Sequence, residues 1–126
     1  MRPVLPPLLA LLASLFGFVP GWAAEGGYLC TFETECFGAD GCSTSGYELR
    51  LAISGDEVAV SDVSADFTAP VLRDGEGAFV GFHDRRADGS QYLLTLSEDG
   101  AARYSVHMPR EGLLISYLGA CASAEN

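Results

Sequence analysis

The sequence predicts an all-β domain: a small antiparallel up-and-down barrel of about eight short strands, with a β-sandwich as the alternative. Three observations carry that expectation. Apolar, β-rich runs recur about every ten residues. Four Asp-Gly pairs, at 40-41, 74-75, 88-89 and 99-100, mark reversals between them. After the first 23 residues, no window keeps a 3.6-residue apolar period over three helical turns. Closure into a barrel is the more attractive form because it leaves no sheet edges.

Residues 1–23 read as a signal peptide. Arg2 supplies the positive start, and Leu8–Val19 is an apolar stretch shorter than the ~20 residues a bilayer span requires. Pro20-Gly21 breaks a helix, and Gly21-Trp22-Ala23 places small side chains at −3 and −1, so cleavage after Ala23 is expected. The first cysteine, Cys30, follows Tyr28-Leu29 rather than a small residue, so no lipid anchor is expected. A single β domain, residues 24–126, is left for a periplasm or the cell exterior. With Arg2 removed it holds six arginines, no lysine and 17 carboxylates, hence a net charge of −11. Such a charge repels nucleic acid and anionic lipid and favours a basic partner or cations.

Four cysteines in a small exported chain imply two disulfides, with three connectivities. Cys30–Cys36 is extended, and its ends would lie roughly 20 Å apart, too far to bridge. Cys36 and Cys42 flank Phe37-Gly38-Ala39-Asp40-Gly41, which can reverse. The expected pairs are therefore Cys36–Cys42 and Cys30–Cys121, the second joining the first and last strands.

The elements follow in order. Tyr28–Cys36 is the first strand, and Cys36–Gly46 a stapled loop. Next, Tyr47, Leu49, Leu51 and Ile53 alternate with Glu48 and Arg50, and Val58 and Val60 point inward from a short strand. Phe67–Leu72 is a strand that Pro70 confines to an edge or interrupts. Phe79–His83 is apolar on both faces. A three-strand meander closes the chain: Tyr92, Leu94 and Leu96 alternate with Leu93 and Thr95; Ala102, Tyr104, Val106 and Met108 with Arg103, Ser105 and His107; Leu113, Ile115 and Tyr117 with Leu114, Ser116 and Leu118.

Residues that could carry chemistry are sparse. His83 and His107 are the only histidines, and no Gly-x-Ser-x-Gly elbow, Cys-x-x-Cys pair or EF-hand spacing is present. No catalytic, metal or cofactor site is expected. The carboxylates at Asp56-Glu57, Asp74/Glu76, Asp84/Asp88 and Glu98-Asp99 lie in turns, where Asp bonds its own backbone. Arg85-Arg86 is the one basic pair, placed to bind an anion or to pair with Asp84 and Asp88.

Tyr28-Leu29-Cys30, Gly100-Ala101-Ala102-Arg103-Tyr104-Ser105, the Arg110-Glu111-Gly112 turn and the closing Cys121 together resemble the small periplasmic inhibitors of C-type lysozymes. The resemblance implies an eight-strand barrel with a first-to-last disulfide and a loop that enters the lysozyme cleft. It implies partner contacts at Asp99, Arg103, Tyr104 and Arg110, from the 98–102 and 109–112 segments at one barrel end. Asp99 stands where the family has serine, Arg110 at the inhibitory lysine, and the Cys36/Cys42 loop is additional. The first functional expectation is thus an exported, non-enzymatic domain that binds a basic periplasmic or foreign protein such as a lysozyme. The second is a small-ligand or cation binder with an interior lined by Tyr47, Phe79, Phe82, Tyr92 and Tyr104. An enzyme built on His83 or His107 is the third.

Overall fold

The computed structural model describes residues 3–4 and 26–124. The signal-peptide reading therefore lies outside the described residues, save for Pro3 and Val4. The domain is eight antiparallel strands: β1 Gly26–Phe37, β2 Cys42–Ser54, β3 Glu57–Ser61, β4 Asp66–Arg73, β5 Phe79–Arg85, β6 Gln91–Ser97, β7 Ala101–Met108 and β8 Leu113–Ser123. Each pairs with the next, and β8 returns to β1, so the sheet closes as a barrel rather than splitting into a sandwich. Among the described residues there is no helix.

Both expected disulfides are present. Cys30 and Cys121 face each other across β1 and β8 and close the ring where the chain's two ends meet. Cys36 and Cys42 face each other across β1 and β2. Such bridges fit a chain that folds in an oxidising compartment.

The second bridge corrects the expected 36–46 loop. Pairing runs up to Cys36 and Cys42, so the reversal is confined to residues 38–41, where Gly41 takes a φ of 97°. Ser43-Thr44-Ser45 is strand because Glu35 and Thr34 give its backbone a partner. The first strand also carries a break in register between Phe32 and Thr34. This bulge shifts the alternation: Tyr28, Cys30 and Phe32 face inward before it, and Glu35 does so after it.

Alternation holds elsewhere as the sequence indicates. Leu49, Leu51 and Ile53, Val58 and Val60, Leu94 and Leu96, and Ala102, Tyr104 and Val106 are all buried. One expected lining residue is corrected. Val80 and Phe82 are the inward pair of β5, which puts Phe79, out of phase with both, on the outer face.

Pro70 behaves as an edge proline inside a closed barrel. Val71 donates its N–H to Asp56 on the β3 side, so the even-numbered positions of β4 turn toward β5. The β4–β5 ladder holds only Val71–Phe82, Leu72–Gly81 and Arg73–Val80, and it stops at the residue with no N–H to give. Arg86 spans the gap. Its guanidinium lies 4.9 Å from the Phe67 ring centre on β4 and 4.3 Å from that of Tyr92 on β6, and its Nε donates to Asp84 at 3.2 Å. Arg86→Ala is expected to cost about 1 kcal/mol in global stability. Its clearer mark is local: amide exchange at His83–Arg85 and Phe67–Ala69 should accelerate while β1, β2 and β8 stay protected. Uniform acceleration around the barrel would count against this bridging role.

Candidate functional site: a tyrosine-lined mouth

In an up-and-down barrel the ends of odd strands and the starts of even strands share one rim. Here that rim is formed by turns 38–41, 62–65, 86–90 and 109–112. The opposite rim holds turns 55–56, 74–78 and 98–100. The two ends of the interior differ. Toward the second rim it is mostly aliphatic, with Leu51, Ile53, Val58, Val80 and Leu96. Toward the first it is aromatic: Phe32 lies about 6 Å from Tyr47, Tyr104 and Tyr117, and Tyr47 stacks on Tyr117 at 4.7 Å. Tyr92, Phe67 and Phe82 complete the cluster around Tyr104 and the Arg86 bridge.

Polar groups finish the mouth. The Tyr47 hydroxyl donates to Asp62 Oδ2 at 2.6 Å. Oδ1 of the same carboxylate accepts the Ser64 N–H, the Ala65 N–H and the Ser64 hydroxyl at 2.7, 2.8 and 2.9 Å. Burial opposes ionisation of Asp62, but these bonds outweigh it and hold its pKa below the ordinary 3.8. Asp88 accepts the Ser90 N–H at 2.8 Å. That bond and one from the Ser90 side chain, with Arg110 and Arg86 nearby, hold Asp88 low as well. Burial raises Tyr117, and the charge and hydrogen bond of Glu35 push it further. Burial raises Tyr104, and burial together with the bond to Asp62 raises Tyr47, both far above the ordinary phenol value.

The arrangement suits recognition. Both Asp62 oxygens are engaged by donors, and the Tyr47, Tyr104 and Tyr117 phenols are held neutral. His83 lies on the outer wall with its Nε2 3.2 Å from Gln91 Oε1, and His107 faces Gln91 and Leu114 across its neighbours.

A pH dependence follows. Phenols held above 10.0 when folded contribute stability below that value, and lose it as the solution rises through it. Asp62, held below 3.8, contributes stability above that value and loses it as pH falls past it. Alkaline titration should therefore show the tyrosinate absorbance of Tyr47 and Tyr104 appearing together with loss of circular dichroism. Tyr47→Phe should cost about 1.5 to 3 kcal/mol at neutral pH, less at low pH. Phenols that ionise independently, in an intact barrel, would contradict the buried hydrogen-bonded site.

The sequence-derived contact set does not converge. Asp99 lies on the far rim, where its carboxylate caps its own turn by accepting the Ala101 N–H at 3.0 Å. Arg110 lies on the tyrosine rim, with β7 between them, so the 98–102 and 109–112 segments sit at opposite ends, roughly 25 Å apart. Arg103 points outward, whereas Tyr104 is 3% exposed and belongs to the core, because neighbours on a strand face opposite sides. Of the four, Arg110 lies on the rim of the mouth and Tyr104 lies buried in the aromatic cluster beneath it. The interior proposed to hold a ligand is filled by side chains, with Phe32, Phe82, Leu49 and Leu94 almost fully buried. Asp62, Glu35 and Tyr117 went unremarked as site residues. The shared rim of odd-strand ends and even-strand starts could have brought Asp62, Tyr47 and Tyr92 together, but Glu35 needs the bulge. The other turn carboxylates follow expectation: Asp74 accepts the Ala78 N–H, and Arg86 pairs with Asp84.

Compared with known proteins, the chain matches no family model, and no curated protein matches it.

Proposed function

We propose that the protein is an exported binding domain that engages a basic protein through its tyrosine-lined rim, and that its partner is a lysozyme-type glycan hydrolase. Export rests on the leader-like residues 1–23 and the two disulfides. The observation that carries the reading is the pinned acidity of the rim. Asp62 is fixed by two backbone N–H groups and Asp88 by one, and both carboxyls are held below their ordinary value. Charges presented on preordered turns bind without an ordering cost. With a net charge of −11, they also steer a basic partner toward the domain. The filled interior favours contact at the rim over enclosure of a ligand. Resemblance to the lysozyme inhibitors marks Arg110, on that same rim, as the residue that enters the cleft.

The test is titration of a C-type lysozyme in a cell-wall lysis assay at low and physiological salt. Inhibition is expected, weaker in salt as the charges are screened. Arg110→Ala should weaken it about 30-fold, as loss of an interface hot spot does. Asp88→Asn should slow association, whereas Asp99→Ala on the far rim should change neither. Absence of a complex at low salt would sink the reading, and equal loss from Asp99→Ala would move the contact off this rim.

A further inference from the structure

We infer that Asp40-Gly41, at the tip of the β1–β2 hairpin, is a modification site: the place where the folded protein converts aspartate to isoaspartate. Four Asp-Gly pairs lie in the chain, and a glycine after the aspartate leaves the reacting backbone nitrogen without a side chain to shield it. By sequence the four are alike. The fold separates them by what holds each reacting group.

Two groups must meet, the side-chain carboxyl carbon of the aspartate and the nitrogen of the next residue. At Asp88-Gly89 both are tied: Asp88 accepts the Ser90 N–H at 2.8 Å, and the Gly89 N–H donates to the Arg86 carbonyl at 3.0 Å. At Asp99-Gly100 both are tied again, Asp99 to the Ala101 N–H at 3.0 Å and the Gly100 N–H to the Ser97 carbonyl at 2.9 Å. These two glycines are also hemmed in. A Cβ on Gly89 would meet Pro109 Cγ at 3.1 Å, and one on Gly100 the Cys121 carbonyl oxygen at 3.5 Å. At Asp74-Gly75 only the carboxylate is held, by the Ala78 N–H at 3.3 Å. At Asp40-Gly41 neither group is held: among the described residues no donor reaches the Asp40 carboxylate, and the Gly41 N–H has no acceptor. Both residues are exposed, and a Cβ on Gly41 would meet nothing within 4 Å. Asp88 carries a further brake. The Ser90 N–H holds its pKa low, which leaves less of the neutral acid that the nitrogen attacks.

The chemistry needs no cofactor or oxidant. The Gly41 nitrogen attacks Asp40 Cγ, a C–N bond forms, and the carboxyl hydroxyl leaves with the amide proton as water. A five-membered succinimide remains. Water then adds at either ring carbonyl. Cleavage of the Cγ–N bond restores aspartate, whereas cleavage of the original backbone C–N bond leaves the main chain running through the side chain, as isoaspartate. The product lengthens the backbone by one atom. It does so inside the segment that the Cys36–Cys42 bridge staples and that Gly41 closes by accepting the Phe37 N–H at 3.1 Å. The change falls on the mouth rim, and the inference stands whichever partner that rim binds.

The test is to hold the folded protein, both disulfides intact, at neutral pH with mild warming and to locate isoaspartate by peptide mapping with electron-transfer fragmentation. Asp40 is expected to convert first and Asp74 next. Asp88 and Asp99 should be at least about tenfold slower than Asp40, because a hydrogen bond must break before either group can react. In denaturant with the disulfides reduced, the four rates should converge. Asp40→Glu, whose ring would have six members and close slowly, should remove the leading signal from the folded protein. Conversion led by Asp74, Asp88 or Asp99, one common rate at all four in the folded protein, or none at Asp40 over the time the denatured chain needs would each overturn the proposal.

Discussion

Replacing Cys30 and Cys121 with alanine is expected to destabilise the barrel by roughly 4 to 5 kcal/mol, against about 2 kcal/mol for Cys36 and Cys42. The difference follows from loop length: 91 residues separate the first pair and 6 the second, and a longer loop takes more entropy from the unfolded chain. The larger figure is a substantial share of the roughly 5 to 15 kcal/mol that stabilises an ordinary domain. It also acts where the ring must close, because β1 and β8 are the pair farthest apart in sequence. Urea unfolding followed by circular dichroism should lower the midpoint by about 2 M or more for the first pair, with the slope telling whether the denatured state expands. Equal losses from the two pairs would show that loop entropy is not what the seam disulfide supplies.

Gly119→Ala should cost about 3 kcal/mol or more, although alanine is the better residue in most strands. Gly119 does not sit at positive φ, so space rather than backbone freedom decides. A methyl group there would run into the Thr31 carbonyl oxygen and lie against Phe32 Cα, beside the β1 bulge. Both contacts are backbone, and relief would require β1 and β8 to separate next to the Cys30–Cys121 bridge. Gly46 in β2 is the control: a Cβ there meets nothing within 4 Å. Gly46→Ala is expected to be neutral or to stabilise by about 0.5 kcal/mol, through the unfolded chain. Thermal melts of the two variants separate the cases. A tolerated Gly119→Ala would mean that β1 and β8 can part at Thr31–Phe32 without loss of the seam.

Much of this fold could be read from residue order. Strand spacing, the Asp-Gly reversals and the inward sets of β2, β3, β6 and β7 all follow from period-two alternation and turn chemistry, which are local. The cysteine pairing was accessible because a bridge has a short reach and the rival spacing was too long. The site was less accessible. Reading Asp99, Arg103, Tyr104 and Arg110 as one surface ignores that a strand separates the first from the last and that adjacent residues on it face opposite ways. Phe79 looked like an interior residue because its run is apolar on both faces, and only burial of Val80 and Phe82 sets the phase.

Composition specified an acidic domain, period-two alternation and turn chemistry specified its strands because they depend on neighbours one or two residues away, and the short reach of a bridge specified its disulfides. Two features required the closed ring. The bulge that turns Glu35 toward Tyr117 depends on how β1 fits two neighbours at once. The Arg86 bridge depends on where the β4–β5 ladder stops. Each arises from contacts between residues distant in the chain, and no local pattern of side chains encodes them.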